Sequence, residues 1–504
     1  MTSRRALVDQ HGFPLISNLY ELKSHRSYSD NRDGTAVADL AGERLRKYAR
    51  HLEQNHDIAK GALDRLVQFT VGASGIGIEP VPKTLDGEIH AEFQADLLEA
   101  WRDWTQWPEV TWELDWIAVQ RLMCRSWLRD GECLAQLIIG PNPSLDHGTR
   151  VPFSLELLEA DLLPFSHNDP ARNIINGVER NEWNRPRAYW LYKRHPGGRL
   201  PTDFSQKRVP SERLLHLKIT DRIGQVRGVS VFASVLQRMN DLYEYETAER
   251  MAARIAANFT GVLKTEAPEI YTPATDANGN PVSRDLNLHP GMILDNLRPG
   301  ESLDIVSSNR PSPTLEPFRN GQLRAAAAGL GISYSALARD YNGSYSAQRQ
   351  ELVESGAHYA SLSRLYINQF VRPVWQAFVM TALQAGIVTA PADTDPRSLD
   401  DAEFQPPTLP WVDPQKEANA HSAMLENYLS SPQKIIRERG GNPVEVLNQW
   451  QKWHDMLKER GLQTEPKAAA PRVPQQAEPE PEEDTDTETE TDTDTETNQE
   501  DEDE

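Results

Sequence analysis

The fold is decided by the stretch GVSVFASVLQRMNDLYEYETAERMAARIAANF, residues 228–259. Thirty of these residues, Val229 to Asn258, include no glycine and no proline, and as one helix they would span about 45 Å. Most helices of globular domains are shorter than this. A modest apolar stripe runs along the segment and weakens near its glutamates. We therefore predict a long helix that packs against other helices, in its own chain or in a neighbouring copy.

A second helix is predicted to return alongside the first. The segment TLEPFRNGQLRAAAAGLG, residues 314–331, has Thr314 as a plausible N-cap and Pro317 in the first turn, where proline is tolerated. Residues 325–328 are all alanine, which would allow a close helix approach, although strong helix propensity explains them equally well. Between the two helices, residues 261–313 have the turn and strand composition of a small β insertion.

The chain before the long helix mixes helices and strands. Residues 43–72 have the apolar spacing of a helix, and a glycine-rich turn follows them. Two more helical patterns cover residues 91–107 and 112–130, and short strands alternate with turns over residues 151–217. Six of the twelve tryptophans lie between Trp101 and Trp127. A nucleic-acid stacking surface would use exposed aromatics of this kind, but aromatics at helical spacing are more often core residues, and we predict core.

The chain after the returning helix is again helical. A polar segment rich in Ser, Tyr, Asn and Gly, residues 332–345, has the composition of a loop. A long helical pattern follows from Ser346 to about Leu383, and Pro373 is expected to kink or divide it. Residues 416–461 are predicted to form one or two amphipathic helices.

The net charge of −22 comes mostly from the end of the chain. Sixteen acidic residues and no basic ones lie between Glu478 and Glu504, so the rest of the chain, with 59 acidic and 53 basic residues, is only mildly acidic. The alternating carboxylates allow a calcium hypothesis, but the glycine and terminal glutamate of a calcium-binding loop are missing. A disordered, solubilising acidic tail is the prediction, because such a segment has almost nothing apolar to bury.

Several classes of function are disfavoured by the composition. The sequence has no run of eighteen apolar residues, so no membrane span is predicted. The first twenty residues lack the apolar core of a secretory signal. The two cysteines, Cys124 and Cys133, indicate neither a disulfide framework nor a zinc site, and we expect two half-buried thiols. No motif for a nucleotide, a metal or a nucleophilic catalyst occurs, although a catalytic site can also assemble from distant positions. We predict no catalytic residue, no cofactor and no metal.

The central third resembles the lambda-type portal proteins of tailed bacteriophages. The likeness lies in RIGQVRGVSVFASVLQRMNDLYEYETAERMAARIAAN, through Arg222, Gly224–Gln225, Arg227–Val229, Asp241–Leu242, Tyr245–Glu246 and Ile255–Ala257. Other blocks agree in order: VGASGIGIEP, INGVERN, RPRAYW, LRPGE, GLGISYSALARDYNGSYSAQR and VDPQKE. The similarity covers roughly residues 44–448, and no single block is diagnostic, whereas several in order are specific.

The resemblance implies a mixed, helix-rich α+β subunit with a wing, a long-helix stem, a small β clip and crown helices, assembled as a ring. The implied segments are an N-terminal arm (1–43), a wing-like α/β region (44–227), a first stem helix (228–260), a clip-like β insertion (261–313), a second stem helix (314–331), a channel loop (332–345), wing and crown helices (346–461) and a disordered acidic tail (462–504).

The resemblance also implies a role and partners. A ring, commonly of twelve copies, would stand at one capsid vertex and pass double-stranded DNA without reading its sequence. Its partners would be the terminase large subunit, the major capsid or scaffold protein and the head–tail connector protein. The protein would be a virion component assembled in the host cytoplasm, and it would not be an enzyme.

Two groups of residues are implied for this role. The DNA-facing channel loop would hold Arg339, Asp340, Tyr341, Asn342, Gly343, Ser344 and Tyr345. The stem helix would supply subunit packing and the channel wall through Arg238, Asp241, Glu244, Glu246, Glu249, Arg250 and Arg254. Four acids against three bases suit weak contact with sliding DNA, because dense Lys and Arg would hold the phosphates, although any solvated helix shows a similar balance.

Two other functions stay open on the sequence. A metal-dependent enzyme that processes phage DNA would need carboxylates brought together from distant positions. An elongated adaptor would bind a protein partner through its helices and would form no pore.

Overall fold

A computed structural model describes residues 33–198, 204–258, 262–265, 278, 301–304, 315–408 and 414–462. The helices are α1 (Gly34–Asn55), α2 (Asp57–Thr70), α3 (Ala91–Trp104), α4 (Trp116–Asp130), α5 (Leu236–Asn258), α6 (Leu315–Leu330), α7 (Tyr334–Ala338), α8 (Tyr345–Tyr366), α9 (Arg372–Gln384), α10 (Pro414–Glu426), α11 (Pro432–Glu438) and α12 (Pro443–Glu459). The strands are β1 (Gly77–Pro80), β2 (Glu132–Ile139), β3 (Phe153–Leu158), β4 (Ile174–Ile175), β5 (Val178–Arg180), β6 (Pro186–Tyr192), β7 (Gln206–Pro210), β8 (Leu214–Lys218), β9 (Val262–Thr265), β10 (Glu301–Asp304) and β11 (Ala402–Gln405).

The predicted class, mixed α+β and rich in helix, is confirmed. The sheets are small: β3-β2-β8, β4-β5-β6-β7 and the two-stranded pairs β1-β11 and β9-β10, and all of their named strand pairs are antiparallel. Of the predicted β insertion at 261–313, the strands β9 and β10 are described, and nearly all of the rest lies outside the described residues. The acidic tail and residues 1–32 of the predicted N-terminal arm also lie outside them.

Residues 43–72 form two helices and not the single helix that their apolar spacing predicted. The chain is extended at His56, which ends α1 and caps α2: its Nδ1 accepts from the backbone N–H of Ala59. The His56 Nε2 lies 3.1 Å from the carbonyl oxygen of Met239 in α5. The break therefore ties the first helices to the long one, and neither glycine nor proline marks it in the sequence.

The helical pattern after Ser346 is divided, as predicted, but by a different device. A turn of π-helix, Ile367–Val371, separates α8 from α9, and Pro373 lies in the first turn of α9. Val371 and Arg372 before it are also helical, so the N–H that Pro373 lacks falls within a continuous helical run and not at a free helix end. Downstream, residues 414–459 form three helices where one or two were predicted. The described residues from Val444 to Leu462, which include most of the amphipathic helix α12, belong to a second unit of the chain.

The tryptophans form the core, as predicted. Trp104 is fully buried and stacks on Trp101 at 4.8 Å between ring centroids, and its Nε1 donates to the carbonyl of Phe153 at 2.8 Å. Trp375 of α9 meets Trp101 edge to face at 5.2 Å, so residues far apart in sequence share one aromatic cluster. Two tryptophans of the predicted set, Trp107 and Trp112, are exposed.

The cysteines are more buried than predicted. Cys124 and Cys133 are both inaccessible free thiols in the core, and burial raises the pKa of each thiol. None of the described helices is both long and apolar enough to cross a bilayer.

A buried carboxylate joins the main elements. Glu132, at the start of β2, is fully buried and accepts from Arg227 and, at 2.7 Å, from Arg46 of α1. Its second oxygen lies 3.0 Å from His216 Nε2 of β8 and accepts the backbone N–H of Gly228 at 2.9 Å. Although burial acts to raise it, the pKa of Glu132 lies well below its ordinary value because of Arg227, His216 and Arg46. We call Glu132, Arg46, Arg227 and His216 the Glu132 cluster.

The variant Glu132→Gln should be strongly destabilised. It leaves the buried Arg227 without its carboxylate partner and Arg46 with Asp161 alone, at 3.4 Å, and breaking a buried ion pair from one side costs about 3–5 kcal/mol. The free energy of unfolding, measured with denaturant, tests this. The matched control is Glu43→Gln, which removes an exposed pair with Lys47 and should change stability by about 0.5 kcal/mol or less. Equal losses in the two variants would contradict the role given to Glu132.

Stability should fall on acidification, and His216 should contribute to the slope. Burial lowers the pKa of His216, so between its folded value and about 6.5 the unfolded chain binds more protons, and stability is lost as pH falls through that window. Burial acts to raise the pKa of Asp161, but Arg46 and Arg50 lower it in the folded chain. The stability that the ionised Asp161 contributes is therefore lost at lower pH. Thermal midpoints between pH 7.5 and 5 should fall less steeply in His216→Gln than in the unchanged chain. An unchanged slope would contradict this.

Candidate functional site: the paired helices and the following loop

The helices α5 and α6 pack side by side in opposite directions. Side-chain contacts follow the pair: Ser234 to Gly329, Arg238 to Gln322, Glu246 to Arg319 and Tyr245 to Phe318. Glu246 and Arg319 form an ion pair at 2.7 Å, and the rings of Tyr245 and Phe318 meet edge to face at 4.9 Å. From one end of the pair to the other, residue numbers rise along α5 and fall along α6, so these contacts define an antiparallel pair.

Gly329 of α6 lies tightly against Val235, the residue just before α5. A Cβ at this position would lie 2.5 Å from Cγ1 of Val235, closer than real atoms come. Ala326 and Ala327, two of the residues 325–328, are buried. The close approach expected from the alanine run stays a prediction, and the tight contact with Val235 is made at Gly329, which has no Cβ.

The predicted first stem helix starts later than its sequence suggested. The regular helix begins at Leu236, after a turn of 3-10 helix at Val231–Ser234 whose first N–H groups are capped by Ser230. Before it, Gly228 is held against Gly131, where a Cβ on Gly228 would lie 2.0 Å from the carbonyl oxygen of Gly131. Residues 228–230 are therefore part of a joint with β2 and the Glu132 cluster, and not of the helix.

The joint explains several residues of the resemblance. Gln225 accepts from the backbone N–H groups of Asp221 and Arg222 and donates to the carbonyl of Arg227 at 2.8 Å. Arg227 is fully buried, and its guanidinium lies 3.9 Å from the ring centroid of Phe165. Both side chains are buried and hold the base of α5.

The predicted stem charges lie in different environments. Glu246 faces α6, Glu249 is buried, and Arg238 reaches Gln322 from an exposed position. The others are exposed along α5: Asp241, Glu244, Arg250 and Arg254. Partial burial, and then Glu244, raise the pKa of Asp241 above its ordinary value. The exposed part of the set, with Arg238 included, therefore holds two acids and three bases.

The predicted channel loop is shorter than its 332–345 range. Gly331 ends α6 with a φ of +67°, and the short helix α7 occupies Tyr334–Ala338. Tyr345 belongs to α8, because Ser344 is the N-cap and accepts from the N–H of Ala347 at 3.3 Å. The irregular part is therefore residues 339–344.

Residues 339–344 are polar, exposed and held at both ends. Arg339 turns the chain with a φ of +53°, and Tyr341 is 58% exposed. Asp340 accepts from the hydroxyl of Tyr334 at 3.3 Å, and Gln348 donates to the carbonyls of Tyr341 and, at 3.2 Å, Gly343. The structure thus brings six of the seven predicted loop residues into one exposed segment next to the end of α6.

The geometry also groups side chains that sequence spacing did not associate. Ligand-type atoms of Glu159, Asp161 and His195 all lie within 4.8 Å of one another. However, the guanidinium of Arg50 lies 2.6 Å from Asp161 and 3.6 Å from Glu159, so a cation already balances these carboxylates. We interpret the group as an ion-pair cluster.

The family model and the curated relatives agree on one family. Residues 23–362 match the family model described as phage portal protein, lambda family. The probable portal protein of Halomonas phage phiHAP-1 is 26% identical over 81% of this chain and 79% of its own length. Portal protein B of Escherichia phage lambda is 23% identical over 55% of this chain and 58% of its own length. A chain from the virion of a native gene transfer agent particle aligns over 80% of this chain and 94% of its own, with 12% identity and a TM-score of 0.40.

The family model covers about two thirds of the chain, including the joint, α5, α6 and the loop that follows them. The chain therefore belongs to the lambda family of phage portal proteins.

Proposed function

We propose that this chain is the subunit of a ring, by family resemblance of twelve copies, that stands at one vertex of a phage capsid and conducts double-stranded DNA. A ring of identical subunits needs head-to-tail contacts whose rotation closes. The observation that carries the proposal is the antiparallel pair α5–α6, joined rigidly to the rest of the subunit at its base and exposing charged residues along α5. This helix pair forms a rod, and its two long sides, the flanks, give each copy surfaces that can contact the neighbouring copies.

The exposed surface of the rod suits a passing duplex. Close neutralisation of phosphates by Lys and Arg releases counterions and holds DNA in place. Here Arg238, Arg250 and Arg254 are exposed together with Asp241 and Glu244, a difference of only one charge, so contact with DNA would be weak. Residues 339–344 add one arginine and one aspartate and therefore no net charge. They can touch the backbone without reading bases.

The remaining roles follow from those of a conduit. Residues 261–313 would face the terminase large subunit during packaging and the head–tail connector protein afterwards. The major capsid or scaffold protein would surround the wing, and assembly would take place in the host cytoplasm. Hydrolysis of ATP would belong to the terminase, and this subunit would have no catalytic residue.

The purified protein should form a large ring with a central hole. Negative-stain micrographs and native mass spectrometry measure this directly. A persistent monomer at micromolar concentration, with scaffold and capsid partners present as well, would contradict the proposal.

Ring formation should depend on the close approach of α5 and α6. In Gly329→Leu the new side chain meets Val235, so the helices must separate and the flanks of the rod change shape. We expect a folded subunit by circular dichroism and few or no rings in micrographs. The matched control is Gly321→Leu on the same helix, where an added Cβ meets nothing within 4 Å, and it should assemble normally. Equal assembly by both variants would show that the pair does not shape the interface.

The loop should matter for DNA and not for assembly. Replacing residues 340–343 with Gly-Ser-Gly-Ser keeps the loop length, the turn at Arg339 and the cap at Ser344. Rings should form, while nuclease-protected DNA per particle should fall, because the side chains that contact the duplex are gone. The control is Trp183→Ser, an exposed hairpin position. Unchanged DNA retention would favour an adaptor without a pore.

A further inference from the structure

A groove of about 480 Å³ lies between α1 and the first half of α5. Leu52 of α1, 3% exposed, forms part of its floor, and Tyr48 and the half-exposed Tyr243 form its sides. His56 closes one end, since its ring lies 5.6 Å from that of Tyr243 and its Nε2 3.1 Å from the carbonyl of Met239. A volume of this size lies in the range of about 300–1,000 Å³ typical of binding pockets. We call it the α1–α5 groove.

The charges at the rim nearly cancel. Lys47 pairs with Glu43 at 2.6 Å, and on the opposite wall Glu244 accepts from Asn240 at 2.9 Å. Arg44 adds one further positive charge at the rim. An apolar floor with aromatic sides and a nearly neutral rim favours an apolar occupant over an anionic one. The acidic residues 484–504 contain no apolar side chain and do not suit the floor.

A segment of this chain outside the described residues has the required chemistry. Residues 13–20, FPLISNLY, carry no charge and include Phe13, Leu15, Ile16, Leu19 and Tyr20. The rest of residues 1–32 has no comparable apolar run. The segment also precedes residue 23, where the match to the family model begins, so the family assigns it nothing.

The segment can reach the groove of its own chain. Thirteen residues from Tyr20 to Asp33, the N-cap of α1, span at most about 45 Å when extended. The groove residues of α1 lie 10 to 21 positions beyond Gly34, which is about 15–32 Å along the helix. No second copy is needed to bring the two together.

We propose that residues 13–20 bind the α1–α5 groove of their own chain. The apolar side chains cover Leu52, Tyr48 and Tyr243, and the arm is thereby fastened beside the base of α5. This contact forms within a single free subunit, so it can be tested independently of ring formation and DNA conduction.

Cross-linking in the full-length chain tests the contact. Cys124 and Cys133 are buried, so cysteines introduced by Ile16→Cys and Asn55→Cys react selectively with a short bismaleimide. We expect an intrachain cross-link at dilute protein concentration, identified by peptide mass spectrometry. The matched pair Ile16→Cys with Trp183→Cys, on an exposed hairpin, should give none. Only interchain products, no product, or equal yields from both pairs would overturn the proposal.

A competition experiment tests the chemistry of the occupant. The full-length variant Leu15→Ser/Ile16→Ser/Leu19→Ser should release the groove and bind a labelled peptide of residues 11–22 about tenfold more tightly than the unchanged chain does. Adding Tyr243→Glu, at a half-exposed position, should remove that gain, whereas adding Trp183→Glu should not. Equal binding to all variants, or equal binding of a scrambled peptide or of a peptide of residues 484–504, would overturn the proposal.

Discussion

The structure depends on a single buried carboxylate. Glu132 receives donors from α1, from β8 and from the strand-like segment that leads into α5, so three parts of the chain are fixed to β2 at one point. An isolated buried charge would be expensive, but two guanidinium groups, an imidazole and a backbone N–H satisfy it. The direction in which α5 leaves the subunit is therefore set by hydrogen bonds whose geometry is specific, and not only by apolar packing.

Helix α5 begins beside this cluster, and the pair that it forms with α6 exposes a different kind of surface. The contacts across the pair α5–α6 include an ion pair, an aromatic contact, hydrogen bonds and the tight packing at Gly329, and charged groups of both signs remain in solvent along α5. A rod fixed at its base and mixed in charge along its length suits a conduit, which must be rigid between neighbours and weakly attractive to the polymer inside it. The same residues that make family membership recognisable in sequence, Arg227 and Gly228, are the ones that fix the base.

Sequence reasoning captured the features that are local. The absence of glycine and proline predicted the long helix, and tryptophans at helical spacing predicted the aromatic core around Trp104. It missed what depends on distant partners. Glu132 looks like any carboxylate at the start of a strand, because its partners lie 86 and 95 positions away. The break at His56 was invisible since its stabilising contact is with Met239, and Glu246 gave no sign of its partner Arg319.

The pairing of β1 with β11 joins residues 322 positions apart, from Pro80 to its partner Ala402. At a synthesis rate of about 5–20 residues per second, the ribosome completes β11 on the order of tens of seconds after β1. Such distant pairings also fold slowly, because the entropy of closing a long loop precedes any gain. A nascent subunit therefore exposes an unpaired strand edge throughout most of its translation, and this interval is when chaperones have access to it.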